Sequence, residues 1–139
     1  MQKYILLIDD DKDEMDIFSE ALDEIDKPMS CIQSTSASAA MNVLNYLTPG
    51  YIFLDLNMPD INGLKCLEEI RKIENLVSVP VILYSNFINE DTFKKAIEAG
   101  AAACIKKPRK IDALAEILKG IFSTESEFKS VLSDREKNN

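Results

Sequence analysis

The stretch Tyr51-Ile52-Phe53-Leu54-Asp55-Leu56-Asn57-Met58-Pro59-Asp60-Ile61-Asn62-Gly63 decides the fold of this chain. Its first four residues are apolar, which predicts a strand covered on both faces, as in a parallel sheet. Asp55 follows where this strand leaves the sheet, and open α/β sheets bind ligands outside the carboxyl ends of their strands. Pro59 and the Asn62-Gly63 pair are typical of a turn that ends the strand. Asp55 is therefore a candidate functional residue, and the alternative is a solvated acid at a strand end.

Apolar runs and helical periodicities alternate along the rest of the chain. Further strands are predicted over residues 3–8, 29–33, 80–84 and 101–105. Helices are predicted from Asp13, from Ala39 after possible caps at Ser34 to Ser38, from near Gly63, from Asn89 and over residues 111–122. Five strand–helix repeats with short connections predict an α/β fold. This fold is a doubly wound five-stranded parallel sheet with helices on both faces, a three-layer sandwich.

Helical spacing assigns inward faces to the first and fourth helices. The first helix is expected to bury four apolar residues, Met15, Phe18, Leu22 and Ile25. Three acids are expected near its N-terminus, where negative charge is favourable: Asp13, Glu14 and Asp16. Lys27-Pro28 is expected to end this helix. The fourth helix is expected to begin at an Asn89 cap, to bury Phe93, Ala96 and Ile97, and to end before Gly100.

Composition excludes several classes of function. The net charge of −8 disfavours direct binding to nucleic acid, because that affinity comes largely from Lys and Arg. No apolar run approaches the ~20 residues of a membrane span, and the start has no signal-peptide layout. The three cysteines, Cys31, Cys66 and Cys104, lack CxxC spacing and are expected to be reduced thiols of a cytoplasmic protein. The absence of His removes His-based triads, most zinc sites and phosphohistidine chemistry on this chain.

Polar side chains follow the predicted strands at one edge of the sheet: Asp9 and Asp10, Asp55, Ser85, and Lys107. Clustered carboxylates are unfavourable unless a cation or a proton neutralises them, and Mg²⁺ prefers such oxygen ligands. A lysine can pair with a phosphoryl oxygen, a serine can donate a hydrogen bond, and an aspartate can act as a nucleophile towards phosphorus. These residue types therefore indicate Mg²⁺-dependent phosphoryl transfer, which needs mainly positioning and charge neutralisation.

In these motifs the chain resembles the receiver domain of bacterial two-component response regulators. The resemblance covers about residues 3–122. It rests on Ile5-Leu6-Leu7-Ile8-Asp9-Asp10, on Leu54-Asp55-Leu56-Asn57-Met58-Pro59 with Gly63, on Ser85, and on Lys107-Pro108. It implies a flavodoxin-like (βα)5 fold, which agrees with the pattern of predicted strands and helices.

The resemblance also implies roles for the acids. Asp55 would accept a phosphoryl group from a phosphohistidine on a sensor histidine kinase or a phosphotransfer protein. Mg²⁺ would be held by the carboxylates of Asp9, Asp10 and Asp55 and by the backbone carbonyl of Asn57. Asp11 leaves the register of the pair open by one residue. The family places the pair directly after the apolar strand, which favours Asp9 and Asp10.

Further roles are implied for the other strand ends. Lys107 would pair with the phosphoryl group, and Ser85 would swing in to hydrogen-bond it. The Lys107-Pro108 bond resembles the family's cis peptide. The chain would catalyse only its own phosphorylation and dephosphorylation, so it is not expected to be an enzyme in the ordinary sense.

Three positions depart from the family pattern. Cys104 stands where many members carry an aromatic residue that rotates inward on activation, and Tyr84 is either a substitute for it or an inward core residue. Asn86 follows Ser85 where the family usually has Ala or Gly. Phe87 lies at the position whose side chain influences the attacking water. We expect this apolar ring to slow hydrolysis of the phosphorylated state.

The predicted organisation is a receiver domain over residues 1–122, followed by a polar tail or short extra helix over residues 123–139. Output is expected through protein contact at residues 89–122 or through a phosphorelay, by a monomer or weak homodimer. The alternative is a pseudo-receiver, an interaction module that works without phosphorylation. An Mg²⁺-dependent phosphatase is less compatible, because Asn57 stands where such enzymes commonly carry a second Asp. A flavin site is also disfavoured, since no Gly- or Ser/Thr-rich phosphate loop follows the first strand.

Overall fold

Five strands run parallel in one sheet of the computed structural model, which describes residues 3–25, 29–58 and 60–123. The strands are β1 (Lys3–Ile8), β2 (Met29–Ser34), β3 (Tyr51–Leu54), β4 (Val81–Ser85) and β5 (Ala103–Lys106). Their order in the sheet is β2-β1-β3-β4-β5, and each pair of neighbours is parallel. All carboxyl ends therefore lie at one edge, as the sequence predicts.

Five α-helices cover the two faces of the sheet. They are α1 (Asp13–Glu24), α2 (Ala37–Leu44), α3 (Gly63–Arg71), α4 (Glu90–Glu98) and α5 (Ile111–Ser123), with a 3-10 turn at Glu74–Leu76. Strand residues alternate between two apolar clusters: Ile52 and Leu54 pack with α2, α3 and α4, whereas Tyr51 and Phe53 pack with α1 and α5. This alternation follows from the strand period of two. The expected doubly wound three-layer fold is confirmed.

Polar side chains cap the helices at Ser36 and Asn89 as predicted, and Asn62, predicted only as a turn residue, caps α3 in the same way. The side chains of Ser36, Asn62 and Asn89 accept hydrogen bonds from the backbone three residues further on, at the starts of α2, α3 and α4. Gly100 follows α4 with φ of 108°, a left-handed conformation that favours glycine. Among the described residues, no helix is both long and apolar enough to cross a membrane.

Several expectations about local structure are wrong. Phe93 is 46% exposed, because the buried face of α4 is narrow and centres on Ala96. By contrast, helix α2 begins at Ala37 with Ser36 as its cap, within the predicted caps at Ser34 to Ser38; the side chains of Ser36 and Asp60 accept hydrogen bonds from its first backbone N–H groups. Strand β5 begins at Ala103 rather than at residue 101.

The prediction of a cis peptide bond at Lys107-Pro108 is also wrong, because this bond is trans. No peptide bond among the described residues is cis. The trans form of a bond preceding proline is favoured by about 0.5–1 kcal/mol. Helix α1 ends at Glu24, before the predicted end at Lys27-Pro28, which lies outside the described residues. Ser123, the first residue of the predicted tail over residues 123–139, is the last residue of α5, and the rest of that tail lies outside the described residues, as does Pro59 in the predicted turn.

Candidate functional site

The carboxyl edge of the sheet gathers the predicted site residues. Ile8 and Leu54 are partners in the β1–β3 register, so Asp9 and Asp55 emerge side by side. The Asp55 N–H donates to the Ile8 carbonyl at 2.9 Å, which fixes Asp55 to the end of β1. Asp9 is fully buried and Asp55 is 7% exposed, whereas Asp10 is exposed to solvent.

Lys107 joins this pair of acids from the end of β5. Its ammonium lies 2.7 Å from Asp9 Oδ2 and 3.3 Å from Asp55 Oδ2. Its backbone N–H donates to the Ser85 carbonyl at 2.9 Å, which ties the end of β5 to the end of β4. Burial acts to lower the pKa of Lys107, but the hydrogen bond to Asp9 and the charges of Asp9, Asp55 and Glu14 raise it above its ordinary value. Lys107 is therefore a firmly charged partner of the acids.

The carboxylates of Asp9, Asp10 and Asp55 fit a hard divalent cation. One oxygen of each lies within 4.8 Å of the others. Burial raises the pKa of Asp9 despite the hydrogen bond from Lys107, because the charged form loses water and faces Asp55. One ammonium does not balance three carboxylates, so a cation would stabilise the cluster. Oxygen ligands of this kind are those that Mg²⁺ and Mn²⁺ prefer.

The loop after β1 shows which acids join the cluster. The Asp11 N–H donates to Asp9 Oδ1 at 3.0 Å, and Asp11 Oδ1 in turn accepts from the Asp13 N–H at 3.0 Å. Gln33 Nε2 holds the same loop through the carbonyls of Asp9 and Asp11, each at 2.8 Å. Asp11 is thus engaged at the start of α1, and it is Asp9 and Asp10 that gather with Asp55.

The loop after β3 is held close to Asp55 by backbone contacts. The Asn57 N–H donates to Asp55 Oδ1 at 3.2 Å, and the Gly63 N–H donates to the Leu56 carbonyl at 2.8 Å. A Cβ at Gly63 would lie 2.5 Å from the Asp55 carbonyl oxygen, so only glycine allows α3 this approach. Asp60 accepts from two backbone N–H groups of α2, and these hydrogen bonds lower its pKa.

Ser85 has an unused hydrogen-bonding group in the site. Its side chain is fully buried, and its Oγ has no hydrogen-bond partner among the described residues. Such an orphaned hydroxyl is costly in a folded protein unless a ligand or water engages it. Next to it along the chain, Asn86 is exposed and Phe87 is 71% exposed.

Tyr84 and Cys104 lie on opposite faces of the sheet. The Tyr84 ring packs edge-to-face on Phe18, with centroids 5.2 Å apart, in the cluster formed with α1 and α5. Cys104 is half-buried and packs against the cluster on the α4 side. Tyr84 is therefore a core residue. It does not take the place of the aromatic side chain that Cys104 lacks.

Sequence reasoning missed one acid of the site. Glu14, the second residue of α1, is only 9% exposed, and its Oε1 lies 3.7 Å from the Lys107 ammonium. Its spacing of four residues before Phe18 places it on the buried face of α1. The sequence shows this spacing, but Met15 is apolar and stands three residues before Phe18, a spacing that is equally compatible with the buried face of a helix.

A five-stranded parallel sheet with three aspartates and a lysine at its carboxyl edge defines a class of signalling protein, the receiver domains. Residues 5–119 match the family model described as Response regulator receiver domain. The chain belongs to the response regulator receiver domain family.

Relatives of similar length, and solved structures of similar proteins, agree with this family assignment. Response regulator Rcp1 of Synechocystis sp. is 30% identical over 128 residues, covering 87% of this chain and 87% of Rcp1. The crystal structure of the phosphorylated cyanobacterial phytochrome response regulator RcpA has a TM-score of 0.77 at 29% identity, covering 89% of this chain and 94% of that chain. The Mn²⁺-bound form of Rcp1 has a TM-score of 0.74 at 29% identity, covering 87% of this chain and 92% of that chain.

Other relatives are longer proteins. The protein-glutamate methylesterase/protein-glutamine glutaminase of Agrobacterium fabrum is 31% identical over 112 residues, covering 78% of this chain and 31% of that protein. The chain spans between 31% and 56% of the length of five such relatives. The likeness to these proteins therefore concerns one part of each of them.

Proposed function

We propose that this receiver accepts a phosphoryl group on Asp55 from a sensor histidine kinase or a phosphotransfer protein, with Mg²⁺ as cofactor. The observation that carries the proposal is the buried ion pair of Lys107, whose ammonium contacts both Asp9 and Asp55 at the sheet edge. A lysine held over the acceptor carboxylate can pair with a phosphoryl oxygen once the group is transferred.

In the proposed reaction a carboxylate oxygen of Asp55 attacks phosphorus and forms the new O–P bond. The bond from phosphorus to the donor breaks, and its electron pair leaves with the donor nitrogen or oxygen. Lys107 offsets the negative charge on the phosphoryl oxygens, and the Ser85 hydroxyl donates a hydrogen bond to one of them. The orphaned Ser85 Oγ supports this role, because the transferred group supplies the missing acceptor.

Asp9, Asp10 and Asp55 would hold the metal through carboxylate oxygens, and Asn57 would do so through its backbone carbonyl. When bound, Mg²⁺ neutralises charge on the phosphoryl oxygens. The all-oxygen donor set within 4.8 Å supports this assignment, and Rcp1 has a structure with Mn²⁺ bound. We propose that the chain catalyses only its own phosphorylation and dephosphorylation.

The output is proposed to be phosphorylation-dependent protein contact, or passage of the phosphoryl group along a relay in the cytoplasm. The surface of residues 89–122 supports a protein partner. A groove of about 300 Å³ opens there, lined by Ile88, Asn89, Glu90, Phe93, Cys104 and Lys106. The acidic net charge supports the absence of a direct nucleic-acid contact. We propose a receiver unit over residues 1–122 that works as a monomer or weak homodimer.

A pseudo-receiver that works without phosphorylation is the second candidate. The observation in its favour is Cys104, a small half-buried thiol where an aromatic side chain would rotate inward. Such a small side chain cannot produce the packing change that couples Ser85 to the α4–β5 surface. The alternative predicts a partner that binds regardless of phosphorylation.

Intact mass after incubation with acetyl phosphate separates the two candidates. The proposal predicts a phosphoryl adduct that needs Mg²⁺ and is absent in Asp55→Asn. Asp60→Asn is the matched control, because it changes an acid of the same loop outside the carboxylate cluster. Absence of an adduct in the parent chain, or an adduct that persists in Asp55→Asn, would contradict the proposal.

A further inference from the structure

Glu14 is a buried acid that the proposed reaction does not use. Its carboxylate lies at the start of α1, where its Oε1 is 3.7 Å from the Lys107 ammonium. Its Oε2 is buried and has no hydrogen-bond partner among the described residues. Burial raises the pKa of Glu14 against the opposing effect of Lys107, and nearby Asp9, Asp11 and Asp55 add to the rise.

Packing alone does not explain an acid at this position. Glu14 precedes Phe18 by four residues on the buried face of α1, where an apolar side chain would carry no desolvation cost. A buried carboxylate with an unused oxygen is unfavourable, and the helix N-terminus offsets only part of that cost. The side chain of Tyr84 also interacts with this carboxylate, and its positively charged neighbour is Lys107.

Three carboxylates surround the single ammonium of Lys107 at increasing distance. Asp9 Oδ2 is at 2.7 Å, Asp55 Oδ2 at 3.3 Å and Glu14 Oε1 at 3.7 Å. Asp9 and Asp55 are also candidate ligands of a divalent cation, so Lys107 competes with that cation for them. Glu14 is the one acid of the three that lies outside the candidate metal ligands.

We propose that Glu14 is a positioning residue for Lys107, an alternative acceptor that takes the ammonium and leaves the oxygens of Asp9 free for a divalent cation. A movement of about 1 Å would bring the Glu14–Lys107 pair from 3.7 Å to the distance of a charge-assisted hydrogen bond. The ammonium has three donors, so it can hold Glu14 and still point towards Asp55. This inference rests on the proposed function, because it assumes that Asp9 binds a metal.

The test is a double-mutant cycle read by titration calorimetry with Mg²⁺ alone and no phosphodonor. Glu14→Gln keeps the shape of the side chain and removes its charge, and Lys107→Met removes the competing ammonium. With Lys107 present, Glu14→Gln is expected to raise the Kd for Mg²⁺ about three- to tenfold. In the Lys107→Met background the same change is expected to alter Kd less than about twofold. Glu20→Gln, an exposed acid of the same helix, is the matched control and should leave Kd unchanged.

Each outcome decides between roles. An equal effect of Glu14→Gln in both backgrounds would show that Glu14 acts only as a nearby charge, which overturns the positioning role. No effect in the presence of Lys107 would also overturn it, while leaving the proposed function intact. A parent chain that binds no Mg²⁺ would overturn the metal site itself, and with it this inference. Circular dichroism of each variant establishes that the compared proteins are folded.

Discussion

The Lys107 ammonium lies 2.7 Å from Asp9 Oδ2, and this buried pair joins the end of β5 to the end of β1 across the whole site. The pair also faces Asp55, so the first, third and fifth strands meet at one cation. Removing one partner of a buried ion pair leaves an uncompensated charge, which typically costs several kcal/mol. The three aspartates Asp9, Asp10 and Asp55 carry more negative charge than the Lys107 ammonium balances, so a second cation would stabilise the site.

Magnesium is expected to stabilise the folded chain through Asp10. At a concentration about 100 times its Kd, a ligand that binds only the folded state adds about 2.7 kcal/mol to the free energy of unfolding. Asp10 is exposed, so Asp10→Asn removes a candidate ligand with little structural cost. Urea unfolding with and without Mg²⁺ measures the gain. We expect Mg²⁺ to raise the free energy of unfolding of the parent and of the control Asp16→Asn by similar amounts, and to raise that of Asp10→Asn much less. Equal gains in all three would contradict the metal site.

The stability of the metal-free chain should depend on pH through Glu14. Its pKa is raised in the folded state, so the folded chain takes up a proton at higher pH than the unfolded chain does. Relative to Glu14→Gln, the parent therefore gains stability as pH falls from 7 through the raised pKa. The difference levels off below the ordinary value of 4.5. Asp9, Asp11, Asp55, Lys107 and the Tyr84 side chain face Glu14 in the parent and are all retained in Glu14→Gln, so the difference between the two proteins reports mainly on Glu14.

Urea unfolding at a series of pH values measures this difference. A difference that does not change with pH would mean that Glu14 titrates alike in the folded and unfolded chains. A parent that loses stability relative to Glu14→Gln on acidification would mean that the folded state lowers the pKa of Glu14. Either result contradicts the buried position described for this acid.

Gly63 is expected to tolerate no side chain. A Cβ there would lie 2.5 Å from the Asp55 carbonyl oxygen and 2.6 Å from Leu56 Cα, and neither backbone atom can move without disturbing the site. Gly63→Ala should therefore lower the free energy of unfolding by about 1–3 kcal/mol. Gly120→Ala is the matched control, because its added Cβ would meet no atom within 4 Å among the described residues beyond its chain neighbours and its own helix backbone. Alanine should stabilise that helical position by about 0.5–1 kcal/mol. If Gly63→Ala and Gly120→Ala lower the free energy of unfolding in urea by similar amounts, the close approach of α3 to the backbone of Asp55 and Leu56 is contradicted.

Phe87 is expected to prolong the phosphorylated state. Its ring is 71% exposed and lies two residues beyond Ser85, where an apolar side chain offers no acceptor for an attacking water. Phe87→Glu should therefore speed hydrolysis severalfold, because a carboxylate can hydrogen-bond and orient that water. Decay of the phosphorylated mass after removal of the phosphodonor gives the rate. Phe93→Glu makes the same change at another exposed ring, on α4, and should have little effect. Hydrolysis in Phe87→Glu no faster than in the parent would count against this role.

The fold could be predicted because its signals are local and mutually consistent. The apolar residues 51–54 are all buried as β3, and the polar residue that follows each of β1, β3 and β5 reaches the same edge. Parallel strands share one direction, so Asp9, Asp55 and Lys107, each directly after a strand, are expected at the same edge of the sheet. The caps at Ser36 and Asn89 were equally readable, since each needs only its own side chain and the next turn.

What escaped prediction depends on tertiary contact. Glu14 and Met15 both precede Phe18 at helical spacing, and only the packing of α1 against the site chooses Glu14 for the buried face. Phe93 has the same ambiguity on α4, where contact with the sheet is narrow and the ring lies outside. The trans geometry at Lys107-Pro108 likewise has no signal in the sequence.

Asp55 is proposed to carry the phosphoryl group. The most direct measurement is borohydride trapping after incubation with acetyl phosphate and Mg²⁺, followed by peptide mass spectrometry. Reduction of an aspartyl phosphate gives homoserine, so the modified position can be read directly. We expect homoserine at position 55 alone, dependent on Mg²⁺. Homoserine at Asp9, Asp10 or another acid, or none at all in a folded chain that binds Mg²⁺, would contradict this proposal.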